Sequence, residues 1–305
     1  MDRCNGANIA AAKLGFDSLR SATTGAGSPD NGPAGSRGHR SGRPRGGSGT
    51  IGTAISDRDS QSTNPDPYEP AMTLSADVRD TLASISTATL TTVLLKKGLR
   101  NVWLRGTKPL KPCQPRLVGR AFTLRFVPAR EDLATPESWS SPISTRAAIE
   151  AMPDGCIAVV DAMGVTDAGI FGDILCARMA RRGVAGLVTD GVVRDVAGVL
   201  ATGLPVWCQG AAAPPSVAGL TFVAWQQPIA CGGVAIFPDD VIVVDDDGAV
   251  VIPAALLDQV VAIAVEQERL ENWIMGEVEG GAALPGLYPP NEENRARYEA
   301  SKKSK

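Results

Sequence analysis

The stretch from Gly155 to Asp195 constrains the fold more than any other. It holds an apolar run (Cys156 to Val160), a glycine-containing loop, a helical pattern (Ile170 to Arg182), a second apolar run (Val184 to Val188) and a second loop. Short apolar runs bounded by turn residues on either side of a helical period make one β-α-β unit. Such crossovers are right-handed and join parallel strands, so the loops that follow both strands emerge at one carboxyl edge of the sheet. Gly172-Asp173-Ile174-Leu175 and Arg194-Asp195 are therefore expected to face each other. The first group opens a helix, where unpaired backbone N–H groups and the helix dipole favour an anion such as a carboxylate. The second puts a cation beside an oxygen ligand for a metal. From the residues alone, this pairing argues for a small carboxylate-bearing ligand, with or without a cation. A structural ion pair closing the loop is the alternative.

Histidine usage narrows the chemistry. The one histidine in 305 residues is His39, in a Gly/Ser/Arg-rich stretch, so the folded body does any acid-base or metal work without imidazole. Ser-His-Asp and Cys-His catalysis and His-ligated zinc are excluded. Carboxylate, arginine, lysine, backbone and water remain, a set suited to a hard ion such as Mg²⁺ or Mn²⁺. The net charge of −3 gives no overall reason to expect nucleic acid or an anionic membrane as partner. No apolar run approaches the roughly 18 to 20 residues that span a bilayer. The six cysteines lack CxxC spacing and read as buried free thiols in a reducing compartment, which suggests the cytoplasm.

Residues 1–71 are rich in Gly, Ser, Pro and Arg and nearly free of large apolar side chains. They cannot offset ordering entropy and read as a disordered tail, with a presequence or an overextended start before Met72 as other readings. Gly47 to Gly52 matches GxGxxG only formally, since no strand precedes it and no helix follows. The Arg/Gly stretch from Arg37 to Gly47 reads as a solvated linker. Residues 72–275 read as a single globular domain and 276–305 as a polar C-terminal extension with one helical turn or two at Pro289 to Tyr298. The domain starts with a helix from Ser75 to Lys97, stopped by Gly98, and a strand from Leu117 to Val127. The charged loop after it places Arg130 and Glu131 either near substrate or at the surface. A short helix spans Ser144 to Met152, and another, Val196 to Ala201, leads into a strand at Val206 to Cys208. Short strands are expected at Thr221 to Trp225, Val234 to Phe237, Val241 to Val244 and Ala249 to Ile252. The last two form a hairpin around Asp245-Asp246-Asp247-Gly248, whose acids read as turn chemistry rather than metal ligands. A helix then runs from Pro253 to about Trp273, with Gly276 breaking the pattern.

Gly172-Asp173-Ile174-Leu175, followed after eighteen residues by Arg194-Asp195, resembles the signature of the RraA-like/4-hydroxy-4-methyl-2-oxoglutarate aldolase family. Gly183 to Gly191, Gly203-Leu204-Pro205-Val206, Gly232-Gly233-Val234 and Pro238-Asp239-Asp240 through Gly248 fall in the family's order, so the resemblance covers about residues 75 to 265. It implies an α/β fold, the β/β/α swivelling domain, assembled as a homotrimer. It also implies a divalent-metal-dependent lyase that cleaves 4-hydroxy-2-oxo acids to pyruvate, with oxaloacetate-like decarboxylation open to the same electron sink. By this resemblance Asp195 is the metal ligand and the backbone amides of Gly172, Asp173, Ile174 and Leu175 hold the substrate carboxylate. Asp173 orients a water on the metal, and Arg194 contacts the substrate oxygen. A glutamate from the neighbouring subunit completes the family's site, with Glu266, Glu268 and Glu271 as candidates here. Gly198 departs from the pattern, since some members carry an acid there. Two other functions stay open: dehydration or hydrolysis of a sugar-acid derivative at the same metal site, and regulation of a ribonuclease without catalysis.

Overall fold

The alternation Val118, Ala121, Phe122, Leu124, Phe126 builds the longest strand of the molecule, and the rest of the sheet is arranged on it. The structure is a computed structural model that describes residues 74–303, so the readings made for residues 1–71 lie outside the described residues. In chain order it begins with α1 (Ala76–Ala83), α2 (Thr87–Lys96), β1 (Trp103–Leu104), β2 (Lys108–Pro109), β3 (Leu117–Pro128) and α3 (Thr145–Ala151). Next come β4 (Ile157–Asp161), α4 (Asp173–Arg181), β5 (Gly186–Thr189), α5 (Val196–Ala201), β6 (Val206–Cys208) and β7 (Leu220–Trp225). The chain closes with β8 (Val241–Asp245), β9 (Gly248–Ile252), α6 (Leu257–Glu279) and α7 (Glu292–Lys302).

The strands form one sheet in the order β1-β9-β8-β3-β4-β5-β6-β2, with β7 also on β3. β3 is long enough to serve two neighbourhoods: Leu117 to Arg120 pair antiparallel with β8, while Ala121 to Arg125 pair parallel with β4. The β4-α4-β5 crossover expected from the sequence is present, with Ile157 to Val160 parallel to Gly186 to Thr189. Both faces of these strands are covered, as their unbroken apolar runs require. Ile157, Val159, Val188 and Trp207 face a core under α2, α6, β8 and β9. Ala158, Val160, Leu187 and Val206 face a second core with Ile149, Cys176, Met179 and Val199 from α3, α4 and α5. Cys156, Cys176, Cys208 and Cys231 are buried free thiols. This is the mixed α/β order of the β/β/α domain.

Four local expectations are corrected. The helix read from Ser75 to Lys97 is two helices, because Ser84 donates its hydroxyl to Thr81 O (2.6 Å) and Ser86 accepts from Thr89 N–H (3.0 Å) as a new N-cap. Buried Ile85 packs at the break. The strand read at Val234 to Phe237 is a single bridge between Ile229 and Ile236, since the turn at Cys231–Gly233, with two glycines at positive φ, leaves too little extended chain. α6 continues through Gly276 to Glu279, because a glycine in open space only weakens a long helix. The polar segment after it holds the eleven-residue α7, capped by Asn291 and anchored by buried Tyr298 against Trp273, ring centroids 5.6 Å apart. Among the described residues no helix is long and apolar enough to cross a membrane.

Candidate active site

The site is built where β4 and β5 end. From Asp161 the chain loops to Gly172, which caps α4 with extended backbone and no side chain of its own. From Thr189 it loops to Asp195, which starts α5. The two loops are strapped together: Ile170 N–H donates to Val192 O (2.9 Å) and Arg194 N–H to Phe171 O (2.9 Å). Val193 is bonded in turn to Gly210 and Ala212 after β6. The pairing of parallel strands thus continues past their formal ends, and Arg194 arrives beside the start of α4.

Asp195 has φ 55° and ψ 46°, left-handed for a residue with a side chain, and it does not cap α5. That backbone turns its carboxylate toward α4. Oδ2 accepts from Arg194 Nε at 3.0 Å, and both side chains are partly exposed. The same oxygen lies where a Cβ on Gly172 would come within 2.7 Å of it. Gly169 is also constrained, since a Cβ there would meet Arg194 Cβ at 2.8 Å. Glycine is required at Gly169, where backbone and a Cβ crowd the site, while at Gly172 a side chain would have to push the Asp195 carboxylate aside. Asp173, the first residue of α4, accepts from Ile174 N–H at Oδ1 (2.7 Å), and Ile174 itself is exposed. The structure therefore brings Gly172, Asp173, Ile174, Leu175, Arg194 and Asp195 to one edge.

Whether these groups suit a metal follows from the donor set. Asp195 has one oxygen on Arg194, which leaves Oδ1 for an ion, and no group of three or more His, Cys, Asp or Glu side chains is placed for a metal among the described residues. A hard divalent ion with one protein carboxylate and a shell of water fits this arrangement, and a soft or histidine-ligated ion does not.

Arg130 does not turn inward: it pairs with Asp132 at 2.5 Å on the surface, and Glu131 is exposed. Asp245 of the acidic hairpin is structural, accepting from Thr87 N–H (2.9 Å), the Thr87 hydroxyl (2.7 Å) and Arg116 (3.3 Å). Of the three glutamates, Glu271 accepts from Thr89 and Gln267, and Glu266 from Tyr298 and Lys302. Glu268 keeps a buried Oε2 without a hydrogen-bond partner.

Reasoning from sequence missed the two buried aspartates at the same strand ends. Asp190 accepts from the N–H groups of Ala162 (2.8 Å), Gly164 (3.2 Å) and Gly232 (3.0 Å). Asp161 accepts from Met163 and Ala230, both at 3.0 Å. Burial pushes the Asp190 carboxyl above the ordinary range, against the pull of those N–H donors. Together they pin the loops around a cavity of about 540 Å³ lined by Arg105, Met163, Gly164, Gln209 and Gly232. None of the residues from Gly172 to Leu175, nor Arg194 or Asp195, lines it. The signal available in the sequence was an aspartate at the end of each apolar run, Asp161 directly after the first and Asp190 one residue beyond the second. Behind α4, burial pushes the Cys176 thiol up to about 12, so it is no nucleophile.

Comparison with known proteins shows which family the chain falls in. Protein DlpA of Legionella pneumophila is 31% identical over 175 residues, 56% of this chain, but the match spans only 27% of DlpA's own length. A protein of Halalkalibacterium halodurans, provisionally named 4-hydroxy-4-methyl-2-oxoglutarate aldolase, is 33% identical over 56% of this chain and 75% of its own. Among solved structures, Streptomyces coelicolor RraAS2, described as an unusual member of the RNase ES inhibitor RraA protein family, is 35% identical. It superposes with a TM-score of 0.60 over 68% of this chain and 98% of its own. The model of the RraA-like family, described as Aldolase/RraA, matches residues 75–251, the span that carries both loops of the site, and the chain belongs to that family.

Proposed function

We propose that the chain is a divalent-metal-dependent lyase that cleaves 4-hydroxy-2-oxo acids to pyruvate at the edge formed by α4 and the Arg194-Asp195 loop. One observation carries the reading: the Arg194–Asp195 pair is seated against the glycine-capped start of a nine-residue helix, with Asp195 Oδ2 2.7 Å from where a Cβ on Gly172 would stand. A 2-oxo acid presents a carboxylate and a neighbouring carbonyl oxygen. The start of α4 attracts the first through its dipole and N–H groups, and Arg194, whose Cγ and Cδ lie 3.3 and 3.7 Å from where a Cβ on Gly172 would stand, offers its guanidinium to the second. Cleavage of the bond next to the ketone leaves enolate charge on that oxygen, which Arg194 stabilises. Asp173 is the carboxylate that receives or relays the proton leaving the 4-hydroxyl, since no histidine is present in the described chain. A hard divalent ion on Asp195 would supply a further sink for the enolate charge.

The names given to the Halalkalibacterium relative and others like it support this substrate class. A homotrimer, in which a neighbour's glutamate completes the site, is part of the proposal. Glu268 is the candidate left least committed within its own chain. The test is pyruvate release by the purified full chain from 4-hydroxy-2-oxo acids, stripped with a strong chelator and resupplied with Mg²⁺ or Mn²⁺. Loss and recovery are expected. Turnover unchanged in excess chelator overturns metal dependence, and no pyruvate under any condition overturns the lyase reading. In that event the likeness to RraAS2 favours a regulator that binds a ribonuclease.

A further inference from the structure

Gly198 lies in the interior of α5, where glycine is a poor helix former and where its backbone has no positive φ to explain it. The reason is spatial. A Cβ at 198 would come within 2.6 Å of Asp173 Cβ and 2.8 Å of Asp173 Oδ2. Carbon atoms in contact normally stand about 3.5 to 4.0 Å apart, so a side chain at 198 needs roughly 1 Å of new space. No rotamer supplies it, because Cβ moves only with its backbone. α5 is tied to the approach to α4 through Arg194 N–H and Phe171 O at 2.9 Å, so the strain falls on the first turn of α4 itself.

We propose that Gly198 is a positioning residue: its missing side chain lets α5 lie against Asp173 and so sets where that carboxylate stands beside the Arg194–Asp195 pair. Asp173 is then held from two sides, by the Gly198 backbone and by Ile174 N–H on Oδ1 at 2.7 Å. The inference rests on the lyase reading, in which Asp173 handles the proton of the 4-hydroxyl.

The test is Gly198→Ala in the full chain, with Gly276→Ala as control. Both glycines are helical, and a Cβ at 276 meets nothing within 4 Å. Gly198→Ala is expected to keep a native circular dichroism spectrum, to leave KM nearly unchanged and to lose about 10²-fold in kcat, the scale of a 1 Å misplacement. Gly276→Ala is expected to turn over like the parent chain. A crystal structure of Gly198→Ala is expected to show Asp173 displaced by about 1 Å relative to Asp195. An unmoved Asp173, or parental kcat with Asp173 displaced, overturns the proposal. A double-mutant cycle in Tm separates a folding defect from the proposal: Gly198→Ala should destabilise the parent chain more than an Asp173→Gly background, where the colliding Cβ is gone, and equal destabilisation in both overturns the proposal. If Gly198→Ala does not fold at all, the double variant should fold, and its failure to do so overturns the proposal. If the parent chain releases no pyruvate, the lyase reading alone falls. The displacement and the Tm cycle still decide the seat of Asp173.

Discussion

Asp195 shows how much one backbone conformation does here. A left-handed residue with a side chain costs on the order of 1–3 kcal/mol and persists only where its surroundings determine it. At Asp195 those surroundings are the strap to Phe171 and the bare Cα of Gly172. Arg194→Lys keeps the charge but loses the planar fork that holds Asp195 and, on the proposed function, faces a substrate oxygen. It should cost about 10²- to 10³-fold in kcat, about 2.7–4 kcal/mol, with folding retained, as turnover and circular dichroism would establish. Asp195→Asn should remove the metal response along with activity, and parental rates in both variants would make the pair structural. Asp190 gives a prediction about stability. Its folded pKa is raised, so its contribution is present in full below the ordinary carboxylate range and is lost as pH rises through the raised value. Asp190→Asn faces backbone N–H groups with an amide and should cost about 1–3 kcal/mol. Because asparagine does not titrate, the Tm gap to the parent chain should be wider in acid than at neutral pH. Thermal melts across that range check it, and a gap that widens toward neutrality contradicts it.

Among the elements, β4 was legible because a run buried on both faces must be apolar throughout, and Ile157 to Val160 all have 0% exposure. α4 was legible from its helical period, although the pattern read from Ile170 becomes helix only at Asp173, after Gly172. The hairpin β8-β9 was legible too, while the role of its first acid was not. Asp245 reaches across to the start of α2, 158 residues away in sequence, and no turn rule announces that. Asp245→Ala strands Thr87 N–H and weakens the hold on Arg116, so a loss of about 2–4 kcal/mol in unfolding free energy is expected by denaturant titration. An effect below 0.5 kcal/mol, the usual scale of surface changes, would mean that the hairpin and α2 do not depend on each other. α7 was underestimated because its single buried aromatic, Tyr298, needs Trp273 on α6 to have anything to pack on.

At the scale of the whole molecule, one sheet separates two apolar cores, and the site sits where the parallel strands leave it. Residues 1–71 carry few large apolar side chains with which to join either core. Deleting them should therefore leave Tm and turnover nearly unchanged, and a fall of many degrees in a scanning calorimeter would contradict that. What the sequence determined by itself was the central crossover and the limits on its chemistry. Two apolar runs around a helical repeat specify a crossover, chirality puts its loops at one edge, and the single histidine outside the body limits the chemistry to carboxylate, guanidinium and backbone. Only the tertiary structure decided the left-handed turn of Asp195, the close approach of Gly198 to Asp173 and the clasp of Asp190 on loops 26 to 42 residues away. These depend on which distant backbones come within about 3 Å of each other. That distance is set by packing of the two cores, and a residue's immediate neighbours in sequence carry no record of it.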